Sequence, residues 1–398
     1  MVERDDSTVE EALSELQRVV REPGGTQIDP RAHWGGVPED LATTDNQALY
    51  LEPAEERALA VLRRAVIDDL RFEHLKDNEI DTATWRFVCL ASLQADENHV
   101  EAFMANNARE LMQRRCFFPV IHLTVTEEIA IGDTTLIPKA DAKLPDRILG
   151  PDPGETMASA IAVECTGSDY NKMSARAKTI AEHTLRVLRA GLREERFAPD
   201  EQLRFALGDS VWFDDGASGW GRPPTMGWDY EPGATAIRAA MSQPVAFLPV
   251  AGRNDVEDSA NRALKWWEQG FLATDPLMEL LFMFFALEAI LGTKYGEKAR
   301  PLALRRAILS YKRAEHFAHP LRVYGLYKDV RNAAVHGGQA PEVAKDELLA
   351  FSWDVRRALN EYLDFARADG LDRNGLLEAL DNDPASARIE KEFLPEKR

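Results

Sequence analysis

The stretch PLMELLFMFFALEAILG, Pro276 to Gly292, decides how this chain is read. It is the longest apolar run, yet it is short beside the roughly 20 residues of a membrane span, and Glu279 and Glu288 lie inside it. It therefore reads as a buried core helix, and no transmembrane segment is expected. Asp275 suits the N-cap, Pro276 the first helical position and Gly292 the stop. Outward from it, every segment after Asp255 has helical period. Ala260, Leu264, Trp267 and Phe271 share one face. Pro301 opens LALRRAILSYKRA, and Pro320 opens a helix with the stripe Val323, Leu326/Tyr327, Val330, Ala334. Leu348, Phe351, Val355, Leu359, Tyr362 and Phe365 make another. Short connections between such helices predict antiparallel neighbours and hence a bundle over 255–370, followed at 371–398 by a short helix and a frayed tail.

Upstream the period changes. Residues 5–21 predict a helix opened by Ser7 or Thr8, with Leu13, Leu16, Val19 and Val20 on one side. Residues 22–48, rich in glycine and proline, read as a linker, so that 1–50 forms an N-terminal arm. Pro53 starts a helical stretch, and Thr82 to about Arg114 supplies a second. In VIHLTV (120–125) the alternation of Ile121, Leu123 and Val125 predicts a half-buried strand. Ile129 and Ile131 resume it before a turn at Gly132-Asp133. Ala160–Cys165 predicts a further strand, running into a helix over Asp169–Glu194, and LRFAL (203–207) and VWF (211–213) are candidate strands. Residues 51–250 thus read as a mixed α/β unit whose role, sensor or regulatory, the pattern does not name, and the fold class is α+β. The aromatics Trp212, Phe213, Trp220, Trp228 and Tyr230 sit in a Gly-rich stretch; stacking on bases is one reading, plugging an interface the favoured one.

Cys89, Cys116 and Cys165 have no metal or redox spacing, which points to reduced thiols in the cytoplasm. The acidic, amphipathic N-terminus is not a signal peptide. A formal net charge of −19 argues against general nucleic-acid affinity. Between Lys294 and Arg331, however, ten basic residues face three acidic ones, which predicts a local phosphate-binding surface or, equally, two solvated helix faces.

The chemistry-bearing residues lie at the end of this stretch. Arg331 and Asn332 fall on the last turns of a helix, with His336 just before Gly337-Gly338. A histidine at a helix C-terminus feels the negative end of the dipole, which favours its protonated form and suits acid–base work near neutral pH. Asn332 is four residues from His336 and can orient the imidazole. Arg331 offers a planar fork to phosphate oxygens. The plainer alternative is that His336 caps helix carbonyls and Arg331 is a surface charge. No phosphate-binding glycine loop, zinc spacing or nucleophile elbow competes.

ALEAIL (286–291), ALRRAILSYKR (303–313) and LYKDVRNAAVHGG (326–338) together resemble a HEPN domain of the Apea-like group over roughly residues 257–368. The family pattern is an arginine, usually a polar residue, then a histidine four to six positions after the arginine, and Arg331, Asn332 and His336 fit it. The layout ahead of it, FFPVIHLTV then AVECTG and a long helix, is also similar. The resemblance implies a bundle that dimerises and cuts RNA without a metal or cofactor, in phage defence or toxin-like growth arrest. The ribose 2′-hydroxyl attacks the neighbouring phosphorus. His336 is then general acid or base, Arg331 stabilises phosphoryl charge and Asn332 holds the geometry. Glu288 and Tyr327 are candidate supports. Glu279 and Glu288 lie on opposite sides of their helix, and a buried carboxylate there needs a partner such as Arg331 or Arg305. Arg305, Arg306, Lys312, Arg313 and Lys328 are the expected RNA contacts. Expected partners are RNA, a second copy through the bundle, and a trigger or antitoxin on the N-terminal domain. The alternative is a non-catalytic HEPN module that dimerises or binds nucleotide or RNA.

Overall fold

The computed structural model describes residues 8–21, 53–93, 98–142, 157–192, 203–208, 210–219, 230–293, 298–313, 317–335 and 342–395. The chain is α+β, with helices before and after an antiparallel sheet. It divides into two compact units, one of residues 1–114 with 164–177, the other of 115–163 with 178–398.

In the first unit, α1 (Val9–Arg21) opens on a reciprocal cap: Glu11 N donates to Thr8 Oγ1 and Thr8 N to Glu11 Oε2. Leu13 and Leu16 of α1 are buried with Leu62 and Val66 of α2 (Pro53–Asp68), Trp85 and Val88 of α3 (Asp77–Leu93) and Phe103 of α4 (His99–Asn107). The Glu73 carboxylate accepts Ser168 N at 2.6 Å and Asp169 N at 2.9 Å and pairs with Arg176. It thereby neutralises the exposed donors at the start of α5 (Tyr170–Leu192).

The sheet consists of β1 (Met112–Ile121), β2 (Ile129–Ile131), β3 (Thr134–Pro138), β4 (Ser159–Gly167), β5 (Ala206–Leu207), β6 (Val211–Phe213) and β7 (Ser218–Gly219). Its order is β2-β3-β4-β1-β6-β7, with β5 paired to β1. Leu136 faces Ile129 and Ile161 in neighbouring strands, and Phe117 faces Trp212. Two expectations need correction here. The helical stretch does not reach Arg114, because β1 begins at Met112; and the strand ends at Ile121 instead of running over 120–125. β1 is buried on both faces from Cys116 onward, so its sequence lacks alternation. His122, at φ 63°, ends it in the left-handed region, and only Leu123 bridges onward, to Tyr230. Trp212 is core, stacked on Phe117 at 5.7 Å; Trp220 and Trp228 lie outside the described residues.

After the short α6 (Ala234–Ala240), no strand interrupts the described residues from Asp255 to Pro395. Gly270 lets α7 (Asp255–Leu272) approach α8 (Pro276–Leu291) closely: a Cβ there would meet Met283 Cε at 2.7 Å. Asp275 Oδ1 accepts Met278 N, and Pro276 and Gly292 bound α8 as its sequence implies. Phe284 of α8 meets Phe351 of α12 (Lys345–Asp369) at 4.7 Å, while Trp267 Nε1 donates to Ser352 O at 3.3 Å. Arg186 and Arg189 of α5 both hold Glu268 of α7, so the helix behind the sheet and the helices after 255 form one compact unit. That division cuts across the one drawn from sequence between 250 and 255. The residues expected as a short helix and frayed tail form two helices, α13 (Arg373–Asp381) and α14 (Ala385–Phe393), against α9 (Ala299–Arg313). No helix among the described residues is long and apolar enough to cross a membrane.

Candidate functional site

The helix opened by Pro320 is not one α-helix. His319 Nδ1 accepts Leu321 N to start α10 (Pro320–Gly325), which widens into a π-helical turn over Leu326–Arg331 before α11 (Asn332–Val335). The wider turn adds about one residue to the register, a feature concentrated at functional sites. Its effect here is visible in burial. Leu326, Tyr327 and Val330 all point inward, whereas Ala334, the last member of the expected stripe, is only half-buried and Val335 is exposed.

Arg331 stands at the end of the π turn. Its Nη2 donates to Glu288 Oε1 of α8 at 3.1 Å, and its guanidinium carbon lies 4.7 Å from the centroid of the Tyr327 ring. Both partners were picked out in the sequence. Phe284 meets the same Tyr327 ring edge-on at 5.2 Å, so the platform under the guanidinium is fixed by core packing. Arg331 Nε is buried with no hydrogen-bond partner among the described residues. Asn332, half-buried, starts α11; His336 lies outside the described residues. The structure thus brings together Arg331, Glu288 and Tyr327, with Asn332 adjoining.

Among the described residues the expected basic surface is largely absent. Arg306 is fully buried, donating to Asp354 Oδ1 at 2.8 Å and to Glu361 Oε2 at 2.6 Å. Arg305 is buried as well, held by Asp381 and the Leu291 carbonyl. Lys312 pairs with Asp383 at 2.7 Å, Arg313 with Asp369 at 3.0 Å and Arg300 with Glu390 at 2.9 Å. Arg305 and Arg306 are therefore core ion-pair partners, and carboxylates distant in sequence neutralise the run. Lys328 is exposed, 5.8 Å from the Tyr324 ring, and Lys328 and Arg322 form no ion pair with a described carboxylate. No local signal foretold this pairing, because Asp354, Glu361, Asp381 and Asp383 lie 48 or more residues along the chain.

Among the described residues no group of three histidines, cysteines or carboxylates could hold a metal. No protein-family profile, curated protein or solved structure matches the chain.

Proposed function

We propose that this chain is a HEPN-type endoribonuclease that cleaves RNA without a metal, in defence or toxin-like growth arrest, with Arg331, Asn332 and His336 as its working residues. The observation that carries the reading is Arg331 held by Glu288 over the Tyr327 ring at the end of a π turn. A surface arginine serving only solubility needs neither a fixed platform nor an irregular helix beneath it. In the reaction the ribose 2′-oxygen loses its proton to a base and forms a bond to phosphorus. The bond from phosphorus to the 5′-oxygen breaks, and that oxygen takes a proton, leaving a 2′,3′-cyclic phosphate and a 5′-hydroxyl. His336 serves one of the two proton transfers, Arg331 stabilises the charge building on the phosphoryl oxygens, and Asn332 orients the imidazole. RNA and a second copy of the chain are the proposed partners, and a trigger or antitoxin is assigned to the N-terminal domain, residues 51–250.

The Arg331–Glu288 ion pair also favours a second reading, in which the pair only holds the helices and the module binds without cutting. Incubation of purified protein with total RNA in EDTA separates the two. Cleavage is expected, with DNA left intact. His336→Ala should lower the rate by roughly two to four orders of magnitude. Arg331→Lys, which keeps the charge but loses the fork, should also be badly impaired, and Asn332→Ala less so. Cleavage that survives both His336→Ala and Arg331→Lys in folded protein, or that needs a divalent metal, refutes the mechanism.

A further inference from the structure

Where α10 begins, a half-open cavity of about 480 Å3 lies against α12, lined by Phe317, His319, Arg322, Trp353, Asp354 and Arg357 among others. Its volume falls within the roughly 300–1,000 Å3 of small-ligand sites. Three features give it a chemical character. Trp353 and Phe317 supply aromatic walls, Phe317 being 39% exposed. Arg322 is exposed with no described carboxylate partner, and the Arg357 guanidinium lies 6.0 Å from the centroid of the Trp353 ring. Asp354 is nine-tenths buried; Arg306 occupies its Oδ1, while Oδ2 has no hydrogen-bond partner among the described residues.

A carboxylate oxygen beside aromatic walls accepts the N–H of a base edge, and guanidinium groups at the mouth donate to phosphate. The Asp354, Glu361 and Arg306 cluster carries a net negative charge, so a bare anion is repelled from the floor and held at the rim. We propose that this cavity binds a nucleobase, with its phosphate on Arg322. The inference does not rest on the ribonuclease reading, because the cavity would take a free nucleotide by the same contacts.

Fluorescence anisotropy with a labelled short single-stranded DNA tests it. That probe lacks the 2′-hydroxyl, so it reports binding whatever the chemistry at His336. Wild-type protein should bind it. Arg322→Glu and Trp353→Leu should each weaken binding about tenfold or more, the loss of one base stack or phosphate contact. Arg322 is exposed, so its variant folds even if Trp353→Leu does not. Competition by AMP or UMP at the affinity of the DNA would identify free nucleotide as the ligand; competition only by oligonucleotide would identify the strand. No binding by wild-type protein, or full binding by folded Arg322→Glu, overturns the proposal. Intact binding with no RNA cleavage overturns the ribonuclease reading instead and leaves this site standing.

Discussion

At the scale of single residues, Arg331 and Arg306 are both ion-paired but differ in burial: the Arg331 side chain stays partly accessible beside Glu288, whereas Arg306 is enclosed by two carboxylates. Removing Arg306 leaves Asp354 and Glu361 buried without their countercharge, so Arg306→Ala should lower unfolding free energy by about 3–5 kcal/mol in urea melts. A loss below about 1 kcal/mol would mean the triad is far wetter than its burial implies. His183 gives a pH test. Its Nε2 donates to Leu248 O at 2.9 Å, and burial, aided by Arg186 and Lys265, pushes its pKa below 6.5 against the pull of that hydrogen bond and Glu268. The unfolded imidazole then binds a proton that the folded one refuses, so stability rises with pH through this window. The contribution is fully present above the unfolded pKa, near 6.5, and is lost as pH falls from there toward the folded pKa. His183→Gln should flatten the fall in stability between neutral and mildly acidic pH; an unchanged profile would assign it to other groups.

At the scale of elements, what was legible in the sequence is what short-range pattern encodes. The cap Asp275, the stop Gly292 and the buried face of α7 follow from residues within one or two turns, and each stands where its chemistry puts it. β1 was misread because burial on both faces erases alternation, and the π turn because its apolar residues satisfy an α stripe almost as well. Of the candidate site, Arg331 was legible from its place beside Asn332 ahead of His336, and Glu288 and Tyr327 as supports named with the resemblance, while the fate of Arg305 and Arg306 depended on carboxylates in α12 and α13. The π turn also offers a test of helix energetics. Gly325 has helical φ and ψ, and a Cβ there would meet no atom within 4 Å. Gly325→Ala should therefore raise stability by about 0.4–1 kcal/mol, by restricting the unfolded chain. Destabilisation in thermal melts would show that the wide turn needs the freedom of glycine.

At the scale of the whole molecule, the α7–α8 pair leaves apolar side chains partly exposed. α8 is apolar on nearly every side, the pattern of a helix surrounded by protein. Leu280, Met283, Phe284 and Leu287 are buried, but Met278 is 42% exposed and Trp266 of α7 is 39% exposed. Trp266 stacks on Phe282 at 5.6 Å and meets Phe285 edge-on at 5.3 Å, making an aromatic patch on the α7–α8 pair. Exposed apolar side chains beside such an aromatic cluster suit an interaction site. A two-fold partner covers such a patch with the same patch from the other copy, so one set of residues meets both needs. We therefore expect a homodimer through α7 and α8. Light scattering at micromolar concentration should give twice 44.6 kDa. Trp266 and Met278 are partly exposed, so Trp266→Glu with Met278→Glu should leave the fold intact while burying two charges at the contact, and the mass should fall to that of one chain. If the two motifs complete one cleft, the same double variant should lose RNA cleavage although Arg331, Asn332 and His336 are untouched. A wild-type protein that is monomeric yet cleaves RNA would place the whole site within one copy and leave the aromatic patch to another partner.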